Sequence, residues 1–330
     1  MRARCIVHTP INGVDVREID VDSPGAGEVL VEAAYTCVSP GTELRCLLVE
    51  PQGEPYVPGY ALAGHILQCG SGVDLPEGTA VCVGGTRRAG DLKLQWGGHV
   101  SHAIVQAEDI CPLPPSVDLL DAAVARIGAI AFHGLRLSRP LAGENVAVVG
   151  LGLIGQLSAR LHHLSGAHVV AADRAERRVD LARTAGIEAV VVAADATLSE
   201  AFAQVLPQGA DLVVDTTGVP SVLPQALELG RTMPWDATPR AGLRYLVQGS
   251  YATDFTVPYD AAFQKETTLI LPRSCQPRDL MATLELVASG RLVLRDLAFV
   301  QRPSEAPAAY ESLRCPATAP LTIAFDWHSE

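Results

Sequence analysis

The 330-residue chain contains no Cys-x-x-Cys pair: its eight cysteines, at 5, 37, 46, 69, 82, 111, 275 and 315, are scattered. That spacing excludes a zinc ribbon and a disulfide framework, and it fits reduced thiols. No apolar run reaches the roughly 18 residues of a membrane span. Basic residues are outnumbered, with 25 Lys and Arg against 37 Asp and Glu and a net charge of −12. A nucleic-acid or anionic-membrane surface needs clustered Lys and Arg, so neither partner is expected. The opening "MRARCIVHTPINGVDV" lacks the apolar stretch of a secretory leader. Internal repeats and low-complexity tracts are also missing. These absences predict a soluble, acidic, cytoplasmic protein.

What is present divides along the chain. Hydrophobic residues make up 48% against 19% charged, enough for a large core, and the length suggests two domains. The first 115 or so residues read as short alternating strands such as "RCIVHT", "GEVLVEAAYT" and "TAVCV", separated by Gly and Pro. "PLPPSVD" (112–118) closes that region. The pattern then changes. "NVAVVG" (145–150) is a continuous apolar strand, and Leu153, Ile154, Leu157, Leu161 and Leu164 follow at helical spacing. "HVVAAD" (168–173), "EAVVVA" (188–193), "DLVVDTTG" (211–218), "LRYLVQGS" and "TLILPR" continue as strands alternating with helices. Alternating βαβα units with buried strands predict an α/β fold with a doubly wound parallel sheet. The last 35 or so residues return to short strands around one helix, ending in "LTIAFDW". A β domain split by an inserted α/β domain accounts for this order.

"VAVVGLGLIGQ" carries Gly150-x-Gly152-x-x-Gly155 directly after a predicted strand and at the start of a helix. Asp173, 18 residues past Gly155, ends the next strand, near the spacing expected of a dinucleotide fingerprint. The glycines let backbone approach a pyrophosphate, whose charge sits at the helix N-terminus. Asp173 is positioned to accept from the adenosine ribose, which favours NAD(H) by repelling a 2′-phosphate. Arg174 beside it leaves NADP(H) open.

"CVSPGTE" (37–43) reads locally as a Pro40-Gly41 turn with a hydroxyl, Thr42, and a carboxylate, Glu43, just beyond it. Together with "PYVPGYALAGHI", "WGGHVSHAIVQAEDICPLP", "DAAVARIGAIAFHGL", "VAVVGLGLIGQ" and "VVDTTG", this corner resembles the medium-chain dehydrogenase/reductase, or alcohol dehydrogenase, superfamily. The resemblance spans essentially the whole chain. It implies a GroES-like substrate domain over 1–120, a Rossmann domain over 121–275, and a linker helix with the rest of the substrate domain over 276–330. It also implies nucleotide contacts from Gly150, Gly152, Leu153, Ile154 and Gly155, from Asp173 and Arg174, and from Thr216, Thr217 and Gly218. "TLILPR" (268–273) stands where that family often pairs edge strands between subunits, so a homodimer is expected. The narrower likeness of "SPGTE" with "PGY" is to bacteriochlorophyllide dehydrogenases and to reductases of natural-product pathways.

Zinc-dependent members carry a Cys-Gly-[Thr/Ser]-Asp corner, a later Gly-His-Glu and a further Cys or Glu. Matching those motifs puts Pro40 at the cysteine, Tyr60 at the histidine, Ala61 at the glutamate and Arg126 at the remaining ligand. The four-cysteine structural-zinc lobe is missing between "VCVGGTRRAG" and "WGGH". The resemblance therefore implies no zinc. A rescue would need Cys37, Cys46 and His65 to converge from outside the motifs.

The expected reaction is hydride transfer between a nicotinamide and a carbon bearing oxygen, interconverting an alcohol and a ketone on a polar, sugar- or cyclitol-like small molecule in a biosynthetic pathway. Without a Lewis acid, hydrogen-bond donors must stabilise the developing charge. Thr42 matches the family's proton-shuttling hydroxyl. Tyr60 is placed to donate a phenolic proton, with Arg126 as the cation that would lower its pKa, or as a contact to substrate. Glu43 is placed to orient Tyr60 or to pair with Arg126. His99, His102 and His133 are expected to be packed or solvent-facing. Two alternatives stay open: a zinc-free enoyl reductase, against which the glycine-rich turn counts, and a non-catalytic nucleotide-binding scaffold. The stretch 230–249, with Trp235, Pro234 and Pro239, reads equally as a loop near the nicotinamide or as surface decoration.

Overall fold

The computed structural model describes residues 1–330 apart from 12, 50–52, 233–234, 236–241, 316–317 and 330. Most of the 230–249 stretch before its strand therefore lies outside the described residues. The chain forms two compact units, Met1–Ala129 with Leu280–Glu330, and Ile130–Asp279.

The first unit begins with β1 (Arg2–His8), β2 (Val14–Asp20) and β3 (Glu28–Cys37), then α1 (Pro40–Leu48). β4 (Tyr56–Val57), β5 (Leu62–Cys69), β6 (Ala80–Val83), β7 (Lys93–Leu94), β8 (His102–Gln106) and β9 (Cys111–Pro112) follow, leading into α2 (Leu119–Ser138). β3 is buried along most of its length because it has neighbours on both edges. It pairs antiparallel with β5 on one side and with β8 on the other, and its far end pairs with the chain's last strand, Thr322–Asp326. A second, four-stranded sheet runs β2-β1-β4-β7. Ile6, Val31, Leu62, Ile104 and Phe325 are wholly buried in the core of this unit. Each such side chain contributes roughly 1.5–3 kcal/mol relative to exposure.

The second unit is a six-stranded sheet with every adjacent pair parallel. Its strands are β10 (Asn145–Val149), β11 (His168–Asp173), β12 (Glu188–Val191), β13 (Leu212–Asp215), β14 (Arg244–Val247) and β15 (Thr268–Ile270), in the order β12-β11-β10-β13-β14-β15. The crossover helices include α3 (Leu153–Leu164) and α4 (Glu176–Thr184). The two faces of the sheet explain the unbroken apolar runs. Ala147, Val149, Val170 and Val213 pack into one core and Val146, Val148, Val169 and Val214 into another, so every position along a strand is covered. Among the described residues, no helix is long and apolar enough to cross a membrane.

One local expectation changes. Pro40 and Gly41 form no isolated turn; they open helix α1, with Ser39 as the flanking cap residue and Pro40 at the first helical position. Proline is tolerated there because the backbone N–H it lacks would have no helical partner.

Candidate functional site

The nucleotide fingerprint occupies the carboxyl ends of β10, β11 and β13, where the strand order switches direction between β10 and β13. Open parallel sheets bind ligands at such a point. Gly150 leaves β10 with φ +89, and Gly152 begins α3 without any side-chain cap. A Cβ on Gly155 would lie 2.0 Å from the Gly150 carbonyl oxygen, so the first turn of α3 and the end of β10 approach as only glycine allows. Thr216 Oγ1 donates toward the carbonyls of Val149 (3.1 Å) and Gly150 (2.9 Å), tying β13 to the turn. Asp173 accepts from Leu151 N at 2.7 Å and from Ala175 N at 2.8 Å, with Arg178 Nη1 3.6 Å away. Arg174 is exposed next to it. Leu153 is buried, so only its backbone is offered to a ligand, while Ile154 is half-buried.

Thr217 and Gly218 are set by a carboxylate that sequence reasoning left without a role. Asp215, wholly buried, accepts from Thr217 N (2.9 Å), Thr217 Oγ1 (2.7 Å), Tyr245 Oη (3.1 Å) and Tyr251 Oη (2.6 Å). Gly218, at φ +67, then turns the chain away. All ten residues expected at the nucleotide site thus lie in the second unit, and apart from the exposed Arg174 they line or support one glycine-rich end of the sheet.

The second group lies in the first unit. The Tyr60 phenol donates to Ser39 Oγ at 2.5 Å, and Trp96 packs edge-on to the Tyr60 ring at 5.3 Å. Burial pushes the Tyr60 phenol up to about 12, against the lowering effects of the Ser39 and Thr42 hydroxyls and of the Arg126 charge. Arg126, on α2, thus acts on Tyr60 from nearby, but its effect is smaller than that of burial. The phenol is a proton donor throughout the neutral range.

Glu43 takes a different part from either expected one. It is wholly buried and accepts from Ser39 N (2.7 Å), His99 Nε2 (3.0 Å) and Tyr310 Oη (2.5 Å), so it reaches Tyr60 only through Ser39. Burial alone would raise its pKa, but the hydrogen bonds from His99, Ser39 and Tyr310 outweigh it and hold the carboxyl below its ordinary value. Its place in the first turn of α1 also suits the helix dipole. His99 is packed, as expected, yet it is bonded at both nitrogens. Sequence reasoning gave no role to Ser39 or Tyr310. Ser39 was within reach as a cap residue directly before a proline; Tyr310 comes from the other end of the chain and left no local signal.

The cysteines offered as a metal rescue lie apart from this group in chemistry. Cys37 is wholly buried against Thr322 (3.5 Å), and burial raises its thiol to about 12. Cys46 is buried with Gln95 Nε2 at 3.9 Å. Among the described residues, no three His, Cys, Asp or Glu side chains converge as a metal set.

A family model described as zinc-binding dehydrogenase matches residues 153–233. The 2-desacetyl-2-hydroxyethyl bacteriochlorophyllide A dehydrogenase of Rhodobacter capsulatus is 27% identical over 326 residues, covering 94% of each chain. The crystal structure of 2R,3R-butanediol dehydrogenase from Bacillus subtilis superposes with a TM-score of 0.84 at 18% identity, covering 99% of this chain and 100% of that one. An alcohol dehydrogenase of Escherichia coli CFT073, solved with NADH, gives a TM-score of 0.84 at 19% identity and 99% coverage of both chains.

Proposed function

We propose that this chain, which is similar to dehydrogenases of the medium-chain dehydrogenase/reductase superfamily, interconverts an alcohol and a ketone with a nicotinamide nucleotide and without zinc, on a polar small molecule. The observation that carries this reading is the Tyr60–Ser39 hydrogen bond, with Thr42 and the Arg126 charge beside it; of these, Tyr60 and Arg126 stand at positions matched to metal ligands, as Pro40 does. A protonated phenol, a proline and a guanidinium do not fit a zinc ion, which takes thiolate, imidazole or carboxylate.

The bound nucleotide supplies or accepts the hydride at the reacting carbon. The backbone of this turn fits its pyrophosphate, since the space beside Gly152 is open, Gly150 and Gly155 let the strand end and the helix start approach closely, and α3 begins uncapped. Asp173, ending β11, suits a ribose with free hydroxyls, so NAD(H) is the favoured form, and exposed Arg174 keeps NADP(H) open. The proton is handled by the first unit. In the ketone direction Tyr60 turns its hydrogen from Ser39 to the carbonyl oxygen as negative charge develops there, and Thr42, Arg126 and the freed Ser39 hydroxyl temper the charge left on the phenol. Each such donor contributes roughly 3 kcal/mol of transition-state stabilisation, comparable to what a Lewis acid provides. Among the described residues β15 ends the strand order of its sheet, and that edge position supports a homodimer. A cytoplasmic setting and a sugar- or cyclitol-like substrate in a biosynthetic pathway complete the proposal.

Metal analysis of the purified protein is expected to find far less than one zinc per chain. Tyr60→Phe should lower kcat about 100-fold and Thr42→Val about tenfold in a nicotinamide-absorbance assay. Near-stoichiometric zinc, or full activity in both variants, overturns the mechanism.

A further inference from the structure

The reaction above uses Tyr60, Thr42 and Arg126, but leaves unexplained a buried polar chain behind them. His99 has no exposed surface. Its Nε2 lies 3.0 Å from Glu43 Oε2 and its Nδ1 lies 2.8 Å from Thr36 Oγ1. Thr36 Oγ1 also accepts the Trp327 indole N–H at 3.0 Å. An indole N–H can only donate, so the Thr36 hydroxyl hydrogen is free to bond His99 Nδ1. The neutral Nε2–H tautomer then satisfies every group: Trp327 to Thr36, Thr36 to His99, His99 to ionised Glu43.

Both ends of the Tyr60–Ser39 pair depend on this ring. Glu43 Oε1 holds the Ser39 amide at 2.7 Å, fixing the residue whose hydroxyl receives Tyr60. On the other side, Gly59 has φ +88, and a Cβ there would lie 2.5 Å from His99 Cδ2. The imidazole therefore packs directly on the backbone that precedes Tyr60. Stability alone is a weak reason for this arrangement, because burying a carboxylate with an imidazole generally gains little over apolar packing. Between them the Tyr60 and Ser39 hydroxyls carry two hydrogens, and their mutual bond uses one.

We propose that His99 is a positioning residue, holding Ser39 through Glu43 and Tyr60 through Gly59 so that the two hydroxyls present one hydrogen to the substrate oxygen. This rests on the alcohol–ketone reading and adds to it a residue that touches neither substrate nor nucleotide.

The test compares wild type with His99→Phe, which keeps a ring of similar size but cannot bond Glu43, with His99→Gln, which restores an N–H donor, and with Thr36→Val. For each, kcat and KM are measured on a ketone the wild type reduces, NADH affinity by fluorescence titration, and folded fraction by circular dichroism. His99→Phe is expected to lower kcat about tenfold or more while KM and the NADH dissociation constant stay within about twofold, the split expected when only a transition-state interaction is lost. His99→Gln should recover at least about a third of the lost kcat, and Thr36→Val should fall between. If His99→Phe does not fold, Thr36→Val, which leaves the Glu43 bond in place, carries the comparison. Wild-type kcat in the folded variants, a loss that only follows the folded fraction, or no recovery in His99→Gln overturns the proposal alone. A wild type silent on every alcohol and ketone tried overturns the parent reading and this proposal with it.

Discussion

A methyl group on Gly155 would sit 2.0 Å from a backbone oxygen, a distance no side-chain rotation relieves. Gly155→Ala must therefore push α3 away from the end of β10, at the place where the backbone is proposed to meet the pyrophosphate. The expected result is a loss of NADH affinity of about 30-fold or more, from misplaced amides rather than from a lost side-chain contact. Fluorescence titration checks it; an unchanged dissociation constant would refute the placement of the nucleotide. This part of the site was legible in the sequence because Gly150, Gly152, Gly155 and Asp173 lie within one strand–helix–strand unit, where spacing translates directly into proximity. The Tyr60 group was legible only by position. That its phenol is held up near 12, that Ser39 is its partner and that Glu43 faces His99 all depend on segments brought together by folding.

At the level of elements, helix α1 shows how a local signal was misread. Pro-Gly commonly marks a turn, but a proline one residue after a cap-type serine is also a helix start, and the carboxylate at Glu43 belongs to that first turn. The two readings differ in what substitution does. At the first helical position proline replaces no hydrogen bond, so Pro40→Ala should change stability by less than about 1 kcal/mol. Glu43→Ala removes the acceptor of three buried donors, from Ser39, His99 and Tyr310. Leaving such donors unpaired costs on the order of 3 kcal/mol or more, partly offset if water enters. Urea denaturation of the two variants checks the contrast; comparable midpoints would mean that Glu43 is not the anchor of this helix. The parallel strands posed no such ambiguity, since residues covered on both faces write an unbroken apolar run into the sequence.

For the whole molecule, acid lability follows from groups buried one in each unit. His8, in the β unit, is pushed down to about 4, chiefly by burial and against the pull of Glu43. His162, on α3, is pushed down to about 4 by burial, with its bond to the Ser158 carbonyl opposing and Arg244 adding to the fall. In the unfolded chain both return to the ordinary 6.5. Between pH 6.5 and about 4 the unfolded chain therefore binds more protons than the fold does, so stability is complete above 6.5 and drains as the pH falls. Each histidine accounts for on the order of 3 kcal/mol at most. Glu28 extends the decline. Two bonds from Arg88 and one from the Gly25 amide hold it down to about 2 against the ordinary 4.5, so its contribution is lost between those values. Melting temperature should thus be nearly level from about pH 8 to pH 6.5 and fall steadily below, before carboxylates of ordinary pKa begin to protonate. His162→Phe should flatten the upper part of that decline. A melting temperature that holds steady down to pH 4.5 would show that neither histidine is buried in its neutral form.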